Sequence, residues 1–69
     1  MNKKIFIEGM SCGHCVGRVE RALKDVEGVS QVTVDLAGKS ATVELSSDVE
    51  NAKLKEAVED AGYDVTEIE

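Results

Sequence analysis

Apolar and polar residues alternate in two segments near the middle of the chain. The apolar members of these segments are Val32, Val34, Leu36, Ala41, Val43 and Leu45. A period of two is typical of strands with one buried face, and Ala37-Gly38-Lys39 between the segments has the composition of a hairpin turn. Two shorter segments, residues 4–8 and 64–68, predict a first and a last strand.

Two other segments carry apolar residues at helical spacing. The first covers residues 14–27, and Gly28 follows where a helix-ending glycine is expected. The second opens with Ser47-Asp48-Val49-Glu50, which has the form of a capping box, and Gly62 ends it. The apolar stripes of the two helices are Val16, Val19, Ala22, Leu23 and Val26, and Leu54, Ala57, Val58 and Ala61.

The predicted order is strand, helix, strand, strand, helix, strand. Because the middle strands alternate cleanly, one face of the sheet is buried and both helices must cover that face. We therefore predict an α+β, ferredoxin-like βαββαβ sandwich, with a four-stranded antiparallel sheet and two helices on one face. In this fold the first and last strands are neighbours. Phe6 and Ile68 take the outward phase of these strands, so we expect them to pack together on the open face.

Composition and charge favour a small soluble domain that does not bind nucleic acid. The 69 residues are 42% hydrophobic and 32% charged, and we treat residues 1–69 as one domain. A net charge of −6 and the scarcity of aromatic residues argue against binding phosphates or stacked bases. No apolar run approaches the roughly 7–15 residues of a secretory leader or the about 20 of a membrane span. We expect a cytoplasmic protein with no membrane insertion, whose thiols stay reduced.

The segment Gly9-Met10-Ser11-Cys12-Gly13-His14-Cys15 contains both cysteines and the only histidine. It lies between the first predicted strand and the first predicted helix, where free N–H groups and the helix dipole favour thiolate over thiol. Two soft thiolates suit an ion that is content with two ligands, above all Cu(I). The sequence therefore predicts a metal site at Cys12 and Cys15. Ag(I), Hg(II) and Cd(II) fit the same pair of sulfurs.

Other functions of a cysteine pair fit this sequence less well. Structural zinc takes four N or S ligands, and iron–sulfur clusters generally take four cysteines. Cys-x-x-Cys after a strand is also the signature of thiol–disulfide oxidoreductases, but that fold usually sets a cis-proline against its disulfide, and this chain has no proline. A dithiol oxidoreductase and a domain with inert cysteines stay as alternatives.

The Gly9–Cys15 segment, together with Ala61-Gly62-Tyr63 before the last strand, resembles the heavy-metal-associated domain family. Within that family the chain is most similar to the bacterial CopZ-type copper chaperones. The resemblance implies a non-enzymatic Cu(I) carrier that delivers its ion to a copper-transporting P-type ATPase or a copper-responsive repressor. It also implies a monomer without metal, and leaves open a metal-bridged dimer and a carrier of another soft metal (Hg, Cd, Ag or Zn).

Three residues have expected supporting roles at the site. Met10 is interpreted as an apolar anchor that holds the loop over the core, although its thioether is a candidate ligand. His14 is interpreted as a solvent-facing spacer, or as a group that tunes the thiolates. The resemblance implies that Tyr63 lies beside the metal loop, where its hydroxyl donates toward sulfur and its ring limits water.

Three basic residues, Arg18, Arg21 and Lys24, lie on one side of the first predicted helix. A solvated helix face accounts for them as well as a functional one does. The functional hypothesis is a basic docking patch on an acidic protein, matched to an acidic patch on a target.

Overall fold

The computed structural model describes residues 2–10 and 13–69. Its elements in chain order are β1 (Asn2–Glu8), α1 (Gly13–Lys24), β2 (Val29–Asp35), β3 (Ser40–Leu45), α2 (Asn51–Asp60) and β4 (Asp64–Ile68). The strands form one sheet in the order β2-β3-β1-β4, and every neighbouring pair is antiparallel. The two helices pack against each other, α1 against β2 and α2 against β4. The predicted ferredoxin-like βαββαβ sandwich is confirmed.

A single aliphatic core lies between the sheet and the helices. Its fully buried members are Ile5, Ile7, Val19, Leu23, Ala41, Val43, Leu54 and Val58. These residues come from alternate positions of the central strands and from one stripe of each helix, as the periodicity predicts. Because β1 and β3 are the two central strands, the core is anchored on the strand that leads into the cysteine loop.

The side chains of the last strand do not lie on the predicted faces of the sheet. Phe6 pairs with Glu67, whereas Ile68 pairs with Ile5 and packs against the core. The predicted packing of Phe6 on Ile68 across the open face is therefore wrong. The register shifts immediately after Phe6, because β4 has an extra residue at Thr66. Such a β-bulge turns both apolar residues of β4 toward the core, although they are three positions apart.

The second helix begins after the predicted capping box. Helix α2 starts at Asn51, its N-cap residue is Glu50, and no side-chain hydrogen bond caps it. The capping box at Ser47–Glu50 is therefore wrong. Val49 is only 3% exposed, and the Lys3 ammonium donates a hydrogen bond to the Val49 carbonyl oxygen at 2.9 Å and another to the Asn51 side chain. Burial of Val49 holds this segment against the core, so the helix begins beyond it.

Helix α1 ends at Lys24, whereas the predicted first helix extended over residues 14–27. The hairpin between β2 and β3 also differs from the prediction. Leu36 lies beyond β2 and is 38% exposed, so it does not continue the inward alternation. Lys39 takes a positive φ of 52°, and the Gly38 amide donates to Asp35 Oδ1 at 3.1 Å. The turn thus includes Leu36, and its left-handed residue is a lysine where glycine is usual.

Gly28 and Gly62 both follow helices and have nearly the same backbone conformation, with φ of +97° and +100°. Their surroundings differ. A Cβ on Gly28 would lie 2.6 Å from Val49 Cγ2 and 2.7 Å from Ser47 Oγ, whereas a Cβ on Gly62 would meet no atom within 4 Å. Gly28 therefore allows a close approach of the β3–α2 connection, in addition to its positive φ.

Alanine substitutions at Gly28 and Gly62 separate the energetic cost of backbone strain from that of steric crowding. Gly62→Ala should lower the free energy of unfolding by about 1–2 kcal/mol, through strain alone. Gly28→Ala should lower it by a further 1–3 kcal/mol or so, because the β3–α2 connection must move. Urea denaturation of both variants measures the difference. Equal losses would show that the connection yields to a methyl group without cost.

Candidate metal centre

The cysteine loop joins the end of β1 to the start of α1. Gly9 and Met10 precede the gap in the described residues, and Gly13 follows it as the first residue of α1. Ser11 and Cys12 lie outside the described residues, so the predicted role of Cys12 as a ligand stays a prediction. The other predicted site residues are all described.

Cys15 lies in the first turn of α1 and is half-buried against the core. The amide groups of a first helical turn have no intrahelical acceptor, and the first turn of α1 contains no acidic residue. The local electrostatics therefore favour a negatively charged sulfur over a neutral thiol. Half-burial limits the directions from which a ligand reaches the sulfur.

Met10 is a core residue. It is 5% exposed and belongs to the same cluster as the strand and helix residues that fill the interior. This position agrees with its interpretation as the anchor of the loop. His14 is exposed on the first turn of α1, between the two cysteines in sequence, so it is oriented toward solvent as expected.

Tyr63 lies against the loop. Gly9 has a φ of +98°, and a Cβ on it would lie 3.4 Å from Tyr63 Cδ1, so the tyrosine ring lies beside the start of the loop. Tyr63 follows the end of α2, and its amide donates to the Val58 carbonyl at 3.3 Å. The end of α2 and the cysteine loop are thus held together at one end of the molecule.

An open groove of about 480 Å³ lies beside Cys15. It is lined by Gly13, His14, Cys15, Gly17, Arg18, Arg21 and Tyr63. Lys24 does not line this groove, and its Nζ is 3.5 Å from Glu20 Oε1 in an exposed i,i+4 ion pair. The three predicted docking residues therefore differ in their surroundings. Arg18 and Arg21 line the same groove as Cys15, whereas Lys24 lies outside it and has an acidic neighbour.

The model of the heavy-metal-associated domain matches residues 4–64. The chain belongs to the heavy-metal-associated domain family. Copper chaperone CopZ of Staphylococcus aureus (strain JH9) is 45% identical over 67 residues, which cover 94% of this chain and 98% of that protein. Copper-transporting ATPase 1 of Rhizobium meliloti (strain 1021) is 52% identical over 59 residues. That match covers 86% of this chain but only 7% of the ATPase.

The fold of this heavy-metal-associated domain is shared with a solved CopZ metallochaperone. The two structures have a TM-score of 0.89 and 40% sequence identity, over 96% of this chain and all of the other. Within the part of the chain that the structure describes, no helix is long and apolar enough to cross a membrane. The same residues contain no cluster of three His, Cys, Asp or Glu side chains arranged to hold a metal ion.

Two features of the site were not predicted from the sequence. The Glu20–Lys24 pair has the i,i+4 spacing that favours an ion pair on a helix, so charge spacing was an available signal. The resemblance implied that Tyr63 lies beside the loop, but its approach to Gly9 in particular had no local signal, because it joins residues far apart in the chain. It depends on how the end of α2 packs over the loop.

Variants of Met10 distinguish an anchor from a ligand. Met10→Ala should lower the free energy of unfolding of the metal-free protein by about 2–5 kcal/mol, because it leaves a cavity in the core. Met10→Leu keeps the volume and should cost less than about 1.5 kcal/mol. Thermal or urea unfolding measures both. A large loss of soft-metal affinity in Met10→Leu, with stability kept, would instead identify the thioether as a ligand.

Proposed function

We propose that this domain is a Cu(I) carrier, which binds the ion through Cys12 and Cys15 and passes it to a partner by thiolate exchange. The observation that supports it most is the position of Cys15, half-buried on the first turn of α1 and open to a groove. The similarity to copper chaperone CopZ over nearly the whole of both chains supports the same function. Reduced thiols are required, which fits action in the cytoplasm.

The small number of ligands explains how Cu(I) would pass to a partner. Two thiolates satisfy Cu(I) and leave the ion open to a third sulfur. A cysteine of the partner adds first, and one bond to the carrier then breaks, so the ion is never released into water. No bond of an organic substrate is made or broken, so the proposed activity is carriage and not catalysis.

The neighbours of the cysteines support this role in different ways. Met10 is buried in the core at the start of the loop, and the Tyr63 ring lies beside Gly9. We propose that this ring limits access of water to the sulfurs and that the Tyr63 hydroxyl donates toward them. His14 is exposed and is assigned as a spacer that adjusts the thiolates and does not bind the ion strongly.

The proposed partner is the metal-binding domain of a copper-transporting P-type ATPase, or a copper-responsive repressor. A domain similar to this chain occurs within the Rhizobium meliloti protein named copper-transporting ATPase 1, which supports an ATPase. We propose that Arg18, Arg21 and Lys24 form the docking patch. Because Lys24 pairs with Glu20, the two arginines should contribute most of the attraction for an acidic partner.

Single cysteine variants test the metal site. The reduced protein should bind one Cu(I) per chain, and Cys12→Ser and Cys15→Ser should each lose most of the affinity, because one thiolate cannot hold the ion alone. His14→Ala is the matched control and should keep the Cu(I) affinity of the wild type. Competition with a chromogenic Cu(I) chelator measures the affinity, and parallel titrations with Zn(II) and Hg(II) measure selectivity. Near-wild-type affinity in either serine variant would refute two-thiolate binding.

Charge reversal tests docking. Changing Arg18, Arg21 and Lys24 together to Glu should slow Cu(I) transfer to an acidic-faced acceptor by about tenfold or more at low salt. Cu(I) affinity should be almost unchanged, because it depends on the sulfurs. The difference should shrink at high salt, since charges are screened over about 8–10 Å at ordinary ionic strength. Stopped-flow transfer at two salt concentrations measures it.

Lys24→Glu alone is the control for this experiment. It should slow transfer much less than the triple variant, because Lys24 is already paired on the helix surface. Equal transfer rates for the wild type and the triple variant at low salt would leave this helix face with no role in docking.

A further inference from the structure

Another groove lies between α1 and α2, which pack against each other. It consists of two adjoining open cavities of about 350 and 290 Å³, and both are lined by Val26, Ala57 and Asp60. Neither cavity has a lining residue in common with the groove beside Cys15. These two cavities together form the interhelical groove, which is separate from the candidate metal centre.

The interhelical groove has an apolar floor between two acidic sides. Four half-buried residues form the floor: Ala22, Val26, Ala57 and Ala61. Four exposed carboxylates line the sides, two from just after α1 and two from α2: Asp25, Glu27, Glu56 and Asp60. Among the described residues that line it, Lys53 at one end is the one cation. The groove therefore combines apolar surface with an excess of negative charge on both sides.

The charges of α2 are arranged against its own helix dipole. The first turn contains Lys53 and no acidic residue, whereas the last turn contains Glu59 and Asp60 and no basic residue. Carboxylates near a helix C-terminus lie close to its partial negative charge, so this arrangement lowers the stability of α2. The last turn of α1, by contrast, contains Arg21 and Lys24. Proteins break such local rules mainly at functional sites, and Asp60 lines the interhelical groove.

We propose that the interhelical groove docks a basic, extended segment of a protein partner. Lysine and arginine side chains have a long apolar stem and a cationic end. The stem suits the alanine and valine floor, and the cationic end forms charge-assisted hydrogen bonds with the carboxylates on either side. An acidic segment would be repelled, and a wholly apolar one would leave the carboxylates without a counter-charge. This docking goes beyond the proposed function and does not rest on it, since it needs neither cysteine.

Docking in the interhelical groove leaves the groove beside Cys15 open. A partner that has both an acidic domain and a basic segment can therefore engage both grooves at once. The basic segment then acts as a tether, which raises the effective concentration of the acidic domain near Cys15.

A short basic peptide tests the groove in the reduced, metal-free full chain. The probe is Gly-Lys-Ala-Arg-Ala-Lys-Gly, whose three cations lie on one side when it is extended, and the control peptide has glutamine at those three positions. NMR titration of the isotope-labelled chain at one fixed ionic strength measures both Kd values. The basic peptide should bind at least about tenfold more tightly. Equal Kd values for the two peptides would overturn recognition of the cations.

The same titration locates the peptide. Backbone NMR signals of Val26, Ala57 and Asp60 should shift more than those of Cys15 and Tyr63. The largest shifts at Cys15 and Tyr63 would place the peptide outside the interhelical groove and overturn the proposal.

Paired charge variants separate the groove from general attraction. Glu56→Gln with Asp60→Asn removes two carboxylates of the groove and should raise the Kd of the basic peptide by about tenfold or more. Glu44→Gln with Glu67→Gln removes the same charge from β3 and β4, and should leave the Kd close to that of the wild type. An equal loss in both double variants would show that the net charge of −6 alone attracts the peptide, and would overturn a groove site.

Filling the floor tests the role of the apolar stems. Ala57→Leu leaves every charge in place but occupies the groove, so it should raise the Kd of the basic peptide by about fivefold or more. Ala52→Leu is the matched control, because Ala52 is exposed on the same helix and does not line the groove. Circular dichroism checks that both variants are folded. Wild-type affinity in a folded Ala57→Leu protein would overturn binding within the groove.

The metal-free protein keeps these outcomes distinct from those of the proposed function. Failure of the peptide to bind refutes docking in the interhelical groove and leaves Cu(I) carriage standing. Failure to bind Cu(I) refutes carriage and leaves the docking of a basic segment standing.

Discussion

The cysteine loop depends on burial at both of its ends. Met10 enters the core on one side of the loop, and Val19, one turn after Cys15, enters it on the other. Ile5 and Ile7 hold β1, the strand that leads into the loop, on the same core. Because Cys15 lies between these two anchored positions, their burial restricts where its sulfur can lie. A two-thiolate site needs such restriction, since it has no further ligands to hold its geometry.

Tyr63 adds a constraint from the opposite end of the sequence. One edge of its ring lies beside Gly9, so the residue that follows the end of α2 lies against the start of the loop. Gly9 has a positive φ and no side chain, and both properties suit a sharp turn beneath an aromatic ring. The candidate metal centre is therefore built by β1, α1 and the α2–β4 connection together. A short peptide containing only the two cysteines would lack this support.

Much of the fold could be predicted from the sequence, because most elements follow a regular period. The inward positions of β1 and β3 and the buried stripes of both helices are examples. Two of the failures have the same physical cause, which is that tertiary packing overrode a local rule. The bulge at Thr66 brings Ile68 against the core, and the burial of Val49 accompanies a start of α2 beyond its apparent cap. Neither effect can be found from neighbouring residues, since both satisfy contacts with distant strands.

Part of the candidate site could likewise be predicted from the sequence, and part could not. The cysteine loop could be predicted, since the donor atoms and their spacing are written in one short segment. The groove could not be predicted from local patterns, because residues of α1 and Tyr63, which follows α2, line it together. In the proposed function, affinity for the ion comes from the sulfurs, the position of Cys15 from the core, and attraction of an acidic partner from the two arginines. These three properties reside in different residues, so a substitution in one set should leave the other two measurable.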